Sequence, residues 1–343
     1  MNKLLLCIAF TFLGYLNLYA QKIYNFKLEP TQTKIANSLY NSLSVLDYRG
    51  DTTSMGFILE GMMARYAKMK PATPVSDQFK TLFNSVIDST ATEGKLLLQI
   101  TRLVFAEREN TMDYDAYFNL RANLYSKIDE NYQLVSTIDT LIDKRSFSSP
   151  AKELLKSANE VMSDFIIKNL LVKSSGQILT YYDVLHISNI EKNKIALYKT
   201  AEYTDGLYLT YQSFRNQMPD RQIIVDSADL NSGDIRTIEG GGVTKKVKAN
   251  DIYAIVYRGR PYIASEGHYY ALNKMKNDFF FVGKATISYD LVSALAGEKT
   301  KSLGINLPKA TFEIEIDYKN GMFIRLKKIP DAKPAATAQS SGN

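Results

Sequence analysis

Residues 23–28 alternate apolar and polar side chains with a period of two and predict a short strand that Pro30 stops. Segments 42–48 and 56–64 read as further extended or partly helical pieces, joined by the polar turn 49–54. The period changes at Ser76. Phe79, Leu82, Phe83, Val86 and Ile87 recur at i, i+3, i+4, i+7 and i+8, a single apolar stripe that predicts a helix capped by Ser76. A strand over 96–105 follows, with Leu96, Leu98, Ile100 and Arg102 on one face. Residues 117–125 and 132–142 alternate as well and predict a hairpin across Asp129-Glu130-Asn131. Ser149-Pro150 opens a last helix, with proline in the first turn where its missing N–H costs nothing. Leu154, Leu155, Ala158, Val161, Met162, Phe165 and Ile166 form its inward stripe. Two helices on one face of a small antiparallel sheet is the simplest layering that covers all these faces.

That order of strand, helix, strand, strand and helix resembles the small α/β module of outer-membrane auxiliary lipoproteins and assembly factors of Gram-negative bacteria. The helix 76–87, the strand 96–105, the hairpin 117–142 and the helix 150–171 carry the resemblance. It covers under half of the chain and rests on element order, not on a signature motif. The resemblance implies a non-catalytic envelope role exercised through contacts with partner proteins, and it transfers no site residues. The chain departs from that family at its start, where no lipidated cysteine stands.

Beyond residue 175 the pattern shifts. Residues 176–205 read as a connector, with Ser188-Asn189-Ile190-Glu191 as a capping-box signature for a short helix. From Gly206 onward, short strand-sized runs follow one another: 207–209, 222–225, 235–238, 244–248, 252–257, 261–264, 269–272, 279–288, 311–318 and 322–326. Thr210 starts a helical turn that carries Tyr211 and Phe214. Arg258-Gly259 and Lys319-Asn320-Gly321 supply hairpin turns. The expected fold is therefore α+β: a two-helix-on-antiparallel-sheet domain over 21–175, then an antiparallel β-rich barrel or sandwich over 206–329. Residues 330–343 have nothing to bury and read as a disordered tail.

Residues 1–20 read differently from the rest. Lys3 precedes an apolar run over 4–18 that ends at Leu18-Tyr19-Ala20, the order of a secretory signal peptide, too short for a membrane span. The expected address is the periplasm, or the outer-membrane or cell surface, with no integral membrane segment left after leader removal. The only cysteine, Cys7, lies inside that leader behind Leu4-Leu5-Leu6, which lack the small residues of a lipidation site. The mature chain then holds no thiol, so it forms no disulfide and depends on burying apolar side chains. The 45% hydrophobic content of the full sequence suffices for two ordinary domains. The net charge of +6 drops by one with Lys3 and is spread thinly. Lys245-Lys246-Val247-Lys248 and Lys327-Lys328 are the tight clusters, read as solvated faces, and nucleic acid is not the expected partner.

Candidate chemistry is limited by two histidines, His186 and His268. His268, in the loop Ser265-Glu266-Gly267-His268, is the better triad candidate, but no Gly-x-Ser-x-Gly elbow exists; His186 reads as a packing residue. Glu313 and Glu315 alternate with Phe312, Ile314 and Ile316 on one strand, so a hydrolase would draw its paired carboxylates from there. The plain reading of that strand is an acidic face turned to water. Asp226, Asp229 and Asp234 surround the best candidate cation loop, without EF-hand spacing. The glycine-rich run 239–243 lacks the ending of a P-loop, and Arg49-Gly50-Asp51 matches the adhesion tripeptide only in its letters. No cofactor is implied. The 23 tyrosines, without a single tryptophan, suit protein contacts. The leading expectation is a secreted, non-enzymatic protein that binds an envelope protein or small ligand. The alternatives are a hydrolase of envelope or extracellular polymer and a β-barrel carrier of an apolar ligand.

Overall fold

A computed structural model describes residues 22–60, 65–109, 112–226, 230–231, 234–238, 244–286 and 309–330. The expected leader, Asp229, the glycine-rich run and nearly all of the expected tail lie outside the described residues. The chain has mixed α/β structure and divides into two compact units. One holds the described residues of 22–123 and 137–172, and the other those of 124–136 and from 173 onward.

In the first unit, strands β1 (Lys22–Phe26), β2 (Tyr40–Asp47), β3 (Gly56–Glu60) and β4 (Arg65–Pro71) precede helix α1 (Val75–Val86). Three long strands follow, β5 (Gly94–Glu109), β6 (Tyr114–Ile128) and β7 (Asn131–Ser146), then helix α2 (Ala151–Asn169). The sheet runs β1-β4-β3-β5-β6-β7, with β2 also on β5. It is mixed, and this corrects the antiparallel expectation. β1 runs parallel to β4, while β2 and β3 both lie parallel to β5, at Leu43↔Leu96 and Gly56↔Phe105. Only β3 and β4 form an antiparallel pair among these. The reason is the crossover: α1 sits in the connection that returns the chain to β5, and parallel neighbours need such a connection.

Burial follows from that position. Leu96, Leu97, Leu98, Gln99 and Ile100 are all buried, so β5 is covered on both faces rather than on the single predicted one. The rings of Phe26 and Phe118 flank that of Phe105 at 5.3 and 4.7 Å. Each fully buried side chain of this size contributes about 2 kcal/mol by leaving water. The predicted helical stripes are buried in α1 at Phe79, Leu82, Phe83 and Val86, and in α2 at Leu154, Ala158, Met162, Phe165 and Ile166. Leu155 and Val161 are half-buried at the stripe's margin. The caps differ from expectation. Pro74, not Ser76, is the N-cap of α1, and Pro150 is the N-cap of α2.

In the second unit, the hairpin tip 124–136 pairs with β8 (Ile178–Leu179) at Tyr132↔Leu179. Three short helices follow: α3 (Tyr181–Leu185), α4 (Ile187–Lys192) and α5 (Ala196–Lys199). This stretch is not a bare connector, because Ile195, Leu197 and Tyr198 belong to the main core. Ser188 lies inside α4. The capping boxes stand instead at Thr180/Asp183 and at Thr210/Ser213, the latter opening helix α6 (Tyr211–Arg215).

Three antiparallel sheets complete this unit. One joins β10 (Ile223–Val225), β11 (Ile235–Ile238) and β12 (Thr244–Lys246). A second joins β9 (Gly206–Tyr208), β13 (Ala254–Tyr257), β14 (Arg260–Ser265) and β15 (His268–Ala271). The third is β16 (Asn273–Met275), β17 (Asp278–Thr286), β18 (Lys309–Ile316) and β19 (Phe323–Ile329), in that order. Residues of β13 divide by parity. Ala254 and Val256 enter the core shared with Phe279, Phe281, Phe312 and Ile314 of the third sheet, whereas Ile255 enters a smaller core with Ile235 of the first. The second sheet is thus buried on both faces, and the space between it and the third is filled by rings of Tyr208, Phe214, Phe279, Phe281 and Phe312. Among the described residues, no helix is long and apolar enough to cross a membrane.

Candidate functional site

The structure does not gather the sequence-predicted site residues into one place. Glu313 and Glu315 share the outer face of β18, half-exposed, while Phe312, Ile314 and Ile316 of the same strand enter the core. His268 opens β15 opposite Ser265 and stands 6.2 Å from the ring of Tyr270. Asp226 pairs with Arg236 at 3.3 Å and Asp234 with Lys246 at 2.5 Å, a bond that holds the Asp234 carboxyl below the usual carboxylate range. Each acid thus faces a cation on β11 or β12 instead of an empty ligand sphere. Among the described residues, no group of three or more histidine, cysteine, aspartate or glutamate side chains could hold a metal ion.

The adhesion tripeptide is closed off. Arg49 donates to both carboxylate oxygens of Asp47 at 2.7 Å and to the Ser54 carbonyl at 3.1 Å, and its side chain is only 5% exposed. Asp51 accepts from the Thr53 N–H at 2.8 Å and the Thr53 hydroxyl at 2.7 Å, as its place in the turn predicts. A cavity of about 510 Å³ opens beside this loop, lined by Asp47, Thr53, Lys70, Pro74 and Ser76, and none of the predicted site residues borders it.

The described tyrosines divide between the core and the surface. Tyr40, Tyr117, Tyr125, Tyr198, Tyr208 and Tyr211 are buried, and burial pushes the Tyr208 hydroxyl up to about 12. In the second unit, the most exposed of the described tyrosines lie on α3. Tyr181 is 46% and Tyr182 67% exposed, whereas Val184 of the same helix is fully buried. The Thr180/Asp183 capping box orders this five-residue helix: Thr180 donates its N–H to Asp183 at 2.9 Å and accepts the Asp183 N–H at 3.2 Å. His186 stacks on the Tyr182 ring at 4.0 Å and bonds the Tyr182 carbonyl through Nδ1 at 2.8 Å. Tyr181 meets Tyr132 of the hairpin tip at 5.9 Å. The signal was present in the sequence, since Thr180-Tyr181-Tyr182-Asp183 has capping-box spacing.

Next to α3, a polar cluster fastens α4 and α5 to the third sheet. The Lys192 ammonium pairs with Asp278 and lies 5.0 Å from the Tyr318 ring and 5.9 Å from that of Tyr198. Glu191 accepts from the Tyr318 hydroxyl and from Lys319 at 3.2 Å. Burial, with Tyr211 and Asp278 nearby, pushes the Tyr198 hydroxyl far above its ordinary value. Lys192 is thus tied to a carboxylate and Tyr198 is held in its neutral form by burial. Their arrangement is a latch that fixes the base from which α3 projects.

No family model matches the chain, and no curated protein matches it. Solved structures give distant likenesses. One is an uncharacterised protein, 10% identical over 43% of this chain and 96% of its own, with a TM-score of 0.26. Another is a Xanthomonas campestris protein of family DUF330, 11% identical over 50% of this chain and 97% of its own, also at 0.26. At that TM-score neither likeness bears on how this chain folds or acts.

Proposed function

We propose that the protein is a secreted envelope protein without chemistry of its own that binds a partner protein through the aromatic face of α3. The observation that supports this reading is the exposure of Tyr181 and Tyr182 on a helix with a capping box at its start and Val184 buried beneath it. Rigid tyrosines bury large area at low entropy cost, which makes them frequent anchors of protein interfaces. The expected partner is another envelope protein, in a role like that of the auxiliary and assembly factors the first half resembles.

The test is retention of partners from an envelope extract by residues 21–343 and by the variant Tyr181→Ala/Tyr182→Ala, with mass spectrometry of both eluates. A stoichiometric protein retained by the parent and lost from the folded variant supports the reading. Equal retention by both overturns the assignment of the surface. A chain that retains no protein and instead cleaves an envelope polymer overturns the function.

A further inference from the structure

We propose that the outer edge of β7 is a homodimer interface, at which residues 138–146 pair antiparallel with the same residues of a second copy of this chain about a two-fold axis at Ile142. The contact lies in the first unit and does not depend on what α3 binds. β7 follows β6 in the sheet, and beyond it stands only β8, which reaches Tyr132 and Gln133. Ser175 then donates its N–H to the Leu134 carbonyl at 2.8 Å. Past that point no described strand lies on the outer side of β7, although the strand runs on to Ser146. No residue of β7 is buried, and Thr137, Asp139, Leu141, Asp143 and Arg145 are exposed. Residues 138–146 thus present roughly 30 Å of main-chain donors and acceptors, the template that a further extended strand completes. The other sheet edges among the described residues are guarded. β2 lies against α1, β19 has Arg325, Lys327 and Lys328 in its sequence, and the remaining edge strands are short, the longest being β1 with five residues. From Thr137 to Ile142, β7 has neither proline, glycine nor lysine, and Ile138, Thr140 and Ile142 put no charge on their face.

The strand is complementary to itself in one register, and that selects a second copy as its occupant. With Ile142 opposite Ile142 of the second copy, Asp139 faces Arg145 on both sides of the axis and Thr140 faces Lys144. Neighbouring registers fail. Pairing about Leu141 sets Asp139 against Asp143 twice, and pairing about Asp143 sets that carboxylate against its own copy. Pairing about Thr140 drives the strand end onto Leu134, whose carbonyl Ser175 already occupies. Asp139 holds Arg121 at 2.8 Å and Arg145 holds Asp113 at 2.7 Å, so the facing charges join two existing ion pairs and fix register. The attraction itself comes from the main-chain ladder and from the β-branched pair on the axis. Each copy supplies the same surface, the isologous geometry that closes at two.

The test is sedimentation velocity of residues 21–343 from about 1 to about 100 μM, where a monomer–dimer equilibrium is expected. Hydrogen exchange at the two ends of that range should show protection gained at 138–146. Ile142→Lys sets two ammonium groups on the axis and should weaken the dimer more than about tenfold, with the melting temperature confirming that the variant is folded. Leu326→Lys, on another sheet, and Tyr182→Ala, on α3, should leave the dimer unchanged. Cys7 lies in the expected leader, so Ile142→Cys supplies the lone thiol of residues 21–343. Facing residues of an antiparallel pair bring their Cα atoms within about 5.5 Å, so two such thiols should join as a disulfide, with dissolved oxygen taking up the two electrons and two protons. Ile138→Cys faces Ser146 of the second copy and should give no such cross-link. A monomer at every concentration, protection elsewhere, a dimer indifferent to Ile142→Lys, or equal cross-linking of both cysteine variants overturns the proposal. So does a monomer whose residues 138–146 are protected by a different envelope protein, and a dimer lost in Tyr182→Ala moves the interface to α3.

Discussion

The carboxylate of Asp278 meets the ammonium of Lys192 beneath the ring of Tyr318, with the lysine side chain only 6% exposed. The pair joins the end of α4 to the first residue of β17. Removing one partner leaves the other charge poorly solvated. Asp278→Asn should therefore lower unfolding free energy by about 2 kcal/mol, reduced from the value of a fully buried pair because the aspartate is one-third exposed. Urea denaturation measures the loss. Hydrogen exchange should show it first in α4 and α5, and a uniform loss across the chain would refute the latch.

Glu107 gives a pH signature. Its carboxylate is completely buried, accepts the Leu59 N–H at 2.8 Å and the Ser149 hydroxyl at 2.5 Å, and has its pKa raised by burial. The folded state therefore holds this proton more tightly than the unfolded chain does. The stabilising contribution is complete below the ordinary value of 4.5 and is lost as pH rises through the higher folded value. Glu107→Gln removes that dependence, so its stability relative to the parent should increase from acid to neutral pH. Denaturation curves at a series of pH values check the sign.

Arg49 should not tolerate lysine. Its planar fork meets both oxygens of Asp47, and a single ammonium cannot reproduce that geometry while also reaching the Ser54 carbonyl. Arg49→Lys should cost about 2 kcal/mol, read as a lower melting temperature. Cells that adhere through integrin-like receptors should ignore the parent protein, because the guanidinium is turned inward.

Two glycines separate backbone need from accident. Gly56 has φ +94°, and a Cβ there would sit 1.9 Å from the Phe105 carbonyl oxygen. Gly56→Ala should cost about 3 kcal/mol or prevent folding. Gly50 has nothing within 4 Å of such a Cβ, so Gly50→Ala should change stability by less than about 0.5 kcal/mol. Thermal melts of both variants make the comparison.

Local pattern was legible wherever one face of an element was buried. The stripe Phe79, Leu82, Phe83, Val86 and the parity of Phe312, Ile314 and Ile316 both appear in the packed structure as the spacing predicts. The turns Arg258-Gly259 and Lys319-Asn320-Gly321 were legible too. Arg258 and Gly259 hold the positive φ of 51° and 71° that such a hairpin requires. Strand direction was not legible, because alternation carries the same period in parallel and antiparallel neighbours. The β2/β5 pairing depends on the chain leaving and returning through α1, a nonlocal event. Nor did periodicity reveal Lys192, whose burial is set by Asp278 86 residues further on. The exposed pair on α3 was missed because tyrosine counts say nothing of which rings stay outside.

The partition of the chain between its two units has a consequence for how the protein is made. The backbone passes from one unit to the other after Asn123, back after Ser136 and over again after Val172. No single scission separates them, so this is not a pair of modules fused end to end. During synthesis the segment 124–136 leaves the ribosome well before β8, its pairing partner, exists. A chain released before Ile178 therefore leaves the tip without β8, and only a product extended past Leu179 gives it that neighbour. Gene truncation at residue 172 would yield an aggregation-prone stump in place of a usable half.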